Sequence, residues 1–256
     1  MKLSFDEKLA ANYKSPSQKI RVMTEGWVHS SLFCPNCGRA SLEKYGNSKP
    51  VADFYCDNCL EDYELKSQKS GIGKKIVDGA YKTMIERLLG SNNPNFFLLN
   101  YHPSRYEVRN LFVVPKHFFV PRIIEKRKPL GPTAERHGWV GCNILLTHIP
   151  ETGKIFFVRD ARKEPKGKVL DAWQKTLFLR EEKEISAKGW LLDVMSCVDN
   201  VGKKDFTLDD VYMFADELGT LHPDNKHVKD KIRQQLQVLR DKGYITFVSR
   251  GRYRLS

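Results

Sequence analysis

Four cysteines set the tightest limit on how this 256-residue chain can fold. Cys34 and Cys37 form one Cys-x2-Cys pair, Cys56 and Cys59 form another, and eighteen residues separate them. Two such knuckles at ribbon-length separation supply a tetrahedral sulfur set suited to a structural Zn2+. The ion would pin two hairpins that core burial alone could not hold. Four sulfur ligands leave no open coordination position, so the site is expected to be structural rather than catalytic. The alternative is four unrelated thiols. Two zinc enzyme classes lack their partners here. A nucleobase deaminase needs His-x-Glu upstream of its knuckle, yet His29 is the sole histidine before His102, and Ser30-Ser31 follows it. A His-Asn-His nuclease needs a histidine pair near the cysteines, and none is there.

Redox compartment and partner class follow from composition. Six cysteines could pair as disulfides, but four lie in knuckles, and the charged start (Lys2, Asp6, Glu7) lacks the apolar run of a secretion signal. A cytoplasmic, reducing setting is expected, with no membrane span. Cys142 and Cys197 stand alone in apolar contexts and are expected to be buried packing residues. The formal charge is +12, with 41% hydrophobic residues. That is enough apolar content for a core, and the basic excess favours a polyanionic partner, nucleic acid above all.

A second pattern runs through the cysteine segment. Asp53 precedes the second knuckle by three residues, and Glu64-Leu65-Lys66 follows it. Val51–Tyr55 and Tyr63–Lys66 read as strands, which puts Glu64 and Lys66 on one face. If Asp53 arrives from the adjacent strand, two hard oxygen donors and an ammonium meet. This is the ligand set of a Mg2+-dependent nuclease, with the magnesium expected at Asp53, Glu64 and Leu65. The bland reading is a charged hairpin face.

The surrounding elements read as an α/β domain. Ser15-Pro16 starts a helix whose inner face carries Ile20, Met23 and Trp27. Glu25 near that face is either a group that approaches an active site or, the expected reading, a solvated carboxylate. Gly73 to Leu88 is predicted as one helix with Ile76, Ala80, Met84 and Leu88 on its apolar side. Residues 96–99, 111–114 and 155–158 are apolar runs suited to central strands. This element order is that of the restriction-endonuclease-like core. Arg122–Lys128 is predicted to be a basic loop. Trp139, beside Arg136, His137 and Gly138, is either core or a flat surface for a base or a methyl group.

The charged run Glu181–Ser186 reads as a linker, dividing the chain into residues 1–181 and 182–256. Three helical patterns follow. Trp190, Leu191, Val194, Cys197 and Val198 line the first. Thr207 caps the second, with Asp210 three residues on, and Val211, Phe214, Ala215 and Leu218 form its face. The third is predicted to begin at Asn225, with Val228, Ile232, Leu236 and Leu239 inside. Lys226, Arg233, Gln234 and Gln237 lie outside. Gly243 ends it, and residues 244–248 and 252–255 form a hairpin around Arg250 and Arg252. Three helices and a basic hairpin describe a winged helix, whose third helix would read the major groove while the wing meets phosphates. The competing reading is a protein-docking winged helix with solvated charges.

Over essentially its full length the chain resembles the DpnI family of methyl-directed restriction endonucleases. The stretches that carry the resemblance are PVADFYC-DNC-x4-ELKS, DGAY, NNPNFF, GWVGCNI and KIRQQLQVLRDK. The resemblance implies an α/β PD-(D/E)xK nuclease domain with an inserted zinc site, then a winged helix. It implies a type II enzyme that hydrolyses double-stranded DNA at GATC sites carrying N6-methyladenine, with Mg2+ as cofactor. Asp53, Glu64 and Lys66 match the family's catalytic motif, and Cys34, Cys37, Cys56 and Cys59 its zinc ligands. Trp139 matches the aromatic turned toward the methylated adenines. The winged helix would then be a second specificity element, with Asn225, Lys226, Arg233, Gln234, Arg250 and Arg252 on DNA. One departure is the spacing Pro50-Val51-Ala52-Asp53, which displaces the motif's proline. No obligate protein partner is expected, and the absence of a zipper-like segment favours a monomer. Two other functions remain open at this point: a non-catalytic zinc-ribbon winged-helix regulator, and a structure-selective nuclease acting on DNA junctions.

Overall fold

The computed structural model describes residues 2–46, 52–69, 71–90 and 92–256. Two compact units emerge: residues 1–146 with 152–176, and residues 147–151 with 177–256.

The first unit is built on a mixed sheet. Its elements in order are α1 (Pro16–Ser31), β1 (Glu43–Lys44), β2 (Phe54–Tyr55), β3 (Asp62–Gln68), β4 (Lys75–Ala80), α2 (Tyr81–Leu89), β5 (Asn95–His102), β6 (Glu107–Val114), β7 (Ile124–Lys126), β8 (Gly141–Leu145), β9 (Ile155–Arg159), β10 (Arg162–Lys163) and α3 (Lys166–Gln174). The main sheet runs β1-β2-β3-β5-β6-β9-β10. Within it, β3 and β5 pair in parallel, with Tyr63 beside Asn95 and Gln68 beside Asn100. A parallel pair needs a long crossover, and β4 with α2 provides it. Phe96, Phe97, Leu98 and Leu99 are all buried, as expected of a strand covered on both faces. The apolar runs at 96–99, 111–114 and 155–158 are thus the adjacent strands β5, β6 and β9. Helix α1 buries Met23, Trp27 and Val28. The Trp27 indole N–H donates to the Lys2 carbonyl at 2.8 Å.

Several expectations are corrected. The predicted helix from Gly73 begins only at Tyr81. Residues 75–80 instead pair antiparallel with β8, burying Ile76 and exposing Val77 in strand alternation. Ile76 and Val77 are β-branched and Gly79 is a poor helix former, so the partner strand decides. The predicted loop at Arg122–Lys128 contains β7, because Ile123 and Ile124 are buried. With β4 and β8 it forms a second sheet, ordered β4-β8-β7. Glu25 is buried rather than solvated. Pro50 and Val51 lie outside the described residues.

The second unit contains α4 (Ile185–Val201), β11 (Asp205–Thr207), α5 (Leu208–Tyr212), α6 (Ala215–Leu221), α7 (Val228–Asp241), β12 (Ile245–Ser249) and β13 (Arg252–Leu255). Glu184, expected in a linker, is the N-cap of α4 and accepts from the Ser186 N–H at 2.9 Å. Trp190, Leu191, Val194, Cys197 and Val198 are buried along α4. Thr207 and Asp210 form the capping box. The expected second helix is broken at Met213–Phe214 into α5 and α6, so that Val211 and Leu218 both reach the core. Helix α7 begins at Val228, not Asn225. Its Ile232, Leu236 and Leu239 are fully buried. The wing is a three-stranded sheet, β11-β13-β12. Strand β11 is only three residues long, too short for its alternation to be read in sequence.

Candidate active site and zinc centre

The two knuckles have the same backbone construction. The Gly38 N–H donates to the Cys34 carbonyl at 2.9 Å, and the Leu60 N–H to the Cys56 carbonyl at 2.9 Å. The Cys34 N–H donates to the Arg39 carbonyl at 2.8 Å, and the Cys56 N–H to that of Glu61 at 2.9 Å. The fifth residue of each knuckle turns left-handed: Gly38 has φ +77°, and Leu60 adopts +59° without glycine's freedom. The sulfurs converge, with Cys34–Cys59 and Cys37–Cys56 both 3.5 Å apart. All four ligand atoms lie within 4.8 Å of one another. A tetrahedron with Zn–S bonds of about 2.3 Å has edges of about 3.8 Å, so the cluster could hold zinc with little adjustment. Tyr63 Oη lies 3.2 Å from Cys34 Sγ, an outer contact of the kind that orients a metal ligand. Trp173 of α3 donates to Asn36 Oδ1 at 2.9 Å, anchoring the first knuckle to the domain.

The second knuckle turns the chain from β2 directly into β3. Phe54 pairs with Tyr63 and Tyr55 with Asp62, and the Asp53 N–H donates to the Tyr63 carbonyl at 2.9 Å. Asp53 is thereby carried alongside Glu64. Its Oδ2 accepts from the Leu65 N–H at 2.7 Å. Glu64 and Lys66 share a face, with Lys66 Nζ 2.6 Å from Glu64 Oε1. The three sequence-predicted residues and Leu65 are therefore one cluster.

Three further charged residues complete it. Asp78 on β4 reaches Lys66 Nζ at 2.5 Å, its side chain only 6% exposed. Glu25 on α1 is bound by Arg21 at 2.6 Å and Lys44 at 2.5 Å. Arg87 on α2 stands 3.6 Å from Glu64. Two helices and a distant strand supply these groups.

Burial raises the Asp53 carboxyl above its ordinary range. The Leu65 N–H opposes this, Glu25 reinforces it, and Lys66 and Arg21 oppose it. Burial likewise raises Glu64, opposed by Lys66 and reinforced by Asp78. Burial alone would lower the Lys66 ammonium, but Glu64 and Asp78 lift it above the usual lysine value. Asp53 and Glu64 are two desolvated carboxylates, hard oxygen donors of the kind that fit Mg2+. The Lys66 ammonium lies against both Glu64 and Asp78.

Trp139 lies just before β8. Its ring covers Gly141 so closely that a Cβ there would come within 2.8 Å of Cζ3 and Cη2. The Arg136 guanidinium stacks 5.0 Å from its centroid. Trp139 is half-buried, with its neighbour His137 exposed. Cys142, three residues on, is buried and pairs with Asp78.

In the second unit, Arg233 and Gln237 of α7 and Arg250 and Arg252 of the wing line one concavity with Thr207, Asp209 and Tyr253. Arg233 also faces the Tyr212 ring at 5.9 Å. Gln234 lies apart, accepting from Lys231 Nζ at 2.8 Å. Asn225 and Lys226 precede α7. Asn225 caps the turn by accepting from the His227 N–H at 2.7 Å, and Lys226 Nζ donates to the Pro223 carbonyl at 3.2 Å.

A mixed α/β sheet with helices, a cysteine cluster able to hold zinc and a C-terminal winged helix are the architecture of a restriction-endonuclease-like DNA-binding protein. The comparison with known families agrees along the chain: residues 1–182 match the Dam-replacing family (DpnI), and residues 186–255 match the Dam-replacing HTH domain. The chain belongs to the Dam-replacing, DpnI-type family of restriction endonucleases. The helix-turn-helix domain makes DNA its partner. Among the described residues, no helix is long and apolar enough to cross a membrane.

Proposed function

We propose that the protein is a Mg2+-dependent type II endonuclease of the PD-(D/E)xK kind that cuts double-stranded DNA at GATC sites carrying N6-methyladenine. The observation that carries the chemistry is the Asp53–Leu65 hydrogen bond at 2.7 Å, which joins Asp53 to the Glu64–Lys66 face. Asp53, Glu64 and the Leu65 carbonyl would hold the metal, which supplies Lewis acidity and a more acidic bound water. Lys66, kept charged by two carboxylates, donates hydrogen bonds to the attacking water and offsets negative charge on the phosphorane. Sequence preference is assigned to Trp139, whose flat ring suits an apolar methyl contact, and to the α7–wing concavity. Arg233 would meet base edges there. Arg250, Arg252, Asn225, Lys226 and Gln234 would meet backbone or bases around it. The zinc acts as a brace, with no role in the reaction. The two functional parts are taken as residues 1–181 and 182–256, and a cytoplasmic enzyme is the natural setting for this chemistry.

The test uses one plasmid prepared with and without adenine methylation, incubated with the protein and Mg2+. Cutting confined to methylated GATC supports the reading, and Asp53→Ala should abolish it while DNA binding persists. Binding without cutting would mark a regulator. Cutting indifferent to methylation would remove the proposed specificity.

A further inference from the structure

Asp78 has no place in the Asp53–Glu64–Lys66 motif, yet it makes one of the closest contacts in the site. Its carboxylate is almost wholly buried and lies 2.5 Å from Lys66 Nζ. A buried carboxylate is strongly unfavourable unless a cation or several donors meet it. It arrives from the second sheet, beside a bulge where the β4–β8 register shifts between Asp78 and Ala80. Bulges re-aim side chains, and this one lies where Asp78 faces a strand of the other sheet. Lys66 therefore has two carboxylate partners from two sheets, Glu64 at 2.6 Å and Asp78 at 2.5 Å.

The two partners differ in what metal binding does to them. Glu64 is in the proposed metal set, so its oxygens are shared with a cation when the site is loaded. Asp78 lies outside that set and keeps its hold. We propose that Asp78 is a positioning residue that fixes the Lys66 ammonium at the reacting phosphate once Glu64 is engaged by metal. A lysine has four rotatable side-chain bonds and a strongly hydrated head group. Without a second anchor, that head would sample many positions, and misplacement of a catalytic group by about 1 Å is enough to cost about a hundredfold in rate. This inference rests on the hydrolytic reading of Asp53, Glu64 and Lys66.

The test is steady-state cleavage of a methylated GATC duplex by the full chain carrying Asp78→Asn or Asp78→Glu. Asparagine keeps the shape and removes the charge. It should lower kcat about 10- to 100-fold, with KM and DNA affinity unchanged, and glutamate should restore part of the loss. A second measurement is made on the unsubstituted protein and does not depend on Asp78 variants. In the unsubstituted protein, the 15N-detected Lys66 ammonium, assigned by its loss in Lys66→Met, should exchange with water far more slowly than surface lysines. Full kcat in Asp78→Asn, a change confined to KM, or a freely exchanging Lys66 ammonium would overturn the assignment. Asp53→Ala separates the two readings. If it is inactive while Asp78→Asn is fully active, the role of Asp78 alone falls. If Asp53→Ala still cuts, the hydrolytic reading falls and the role of Asp78 with it.

Discussion

Asp53 shows how a single side chain bears the tension between stability and chemistry. Burial, then the nearby Glu25, raise its carboxyl against the pull of the Leu65 N–H, Lys66 and Arg21. The native state therefore holds this proton more tightly than the unfolded chain does. Stability falls as pH rises from the ordinary carboxylate range, about 3.9 for an unfolded Asp, through the raised native value. Above that window, the metal-free protein carries an unfavourable buried charge. Asp53→Asn removes it and can still accept from the Leu65 N–H. We expect its metal-free Tm to exceed that of the unsubstituted protein at pH 7–8, with the gap closing near pH 4. Mg2+ should raise the Tm of the unsubstituted protein alone. Thermal scans across pH, with and without Mg2+, check this. A variant no more stable at neutral pH would show that Asp53 is not strained by its setting.

At the scale of elements, the cysteine knuckles and the strands that bring Asp53, Glu64 and Lys66 together are one construction. The second knuckle is the link between β2 and β3, so its four-residue turn determines where Asp53 stands relative to Glu64. Structural zinc in small sites contributes about 10 kcal/mol or more, comparable to a whole domain's stability of about 5–15 kcal/mol. Loss of zinc is therefore expected to release the described part of the knuckle segment, residues 34–46 and 52–68, while leaving the winged helix intact. Hydrogen exchange by mass spectrometry after chelation should show faster exchange across that segment and unchanged protection in 185–255. Cleavage should return with Zn2+ and Mg2+ together, not with Mg2+ alone. Unchanged exchange at residues 52–68 after zinc removal would mean that the sheet holds Asp53 by itself. Element type was mostly legible in sequence where a strand or helix carries its own period. It failed at Gly73–Leu88, where strand β8, remote in sequence, claims residues 75–80.

On the scale of the whole molecule, the dominant quantity is charge. At +12, the chain meets a polyanion with a large release of counterions, so DNA affinity should fall steeply as salt rises. Arg252 is exposed on the wing, and a phosphate contact there gives a specific expectation. Arg252→Ala should weaken binding about equally on methylated and unmethylated duplexes. It should also reduce the slope of log K against log salt by about 1. Fluorescence anisotropy over a salt series measures both. A loss confined to methylated DNA would instead make Arg252 a reader of sequence.

The sequence by itself determined what depends on short spacing: the two cysteine knuckles, the shared face of Glu64 and Lys66, the Thr207–Asp210 capping box and the buried stripe of α7. Each is set by the period of one strand, turn or helix, so its geometry is implicit in residue order. Asp78, Glu25 and Arg87 were decided only in three dimensions. Asp78 contacts Lys66 across two sheets, Glu25 is buried by the packing of α1, and Arg87 approaches Glu64 from α2. A charged side chain carries no local mark of whether it will face solvent or a buried partner. The chain must close on itself before that choice is made.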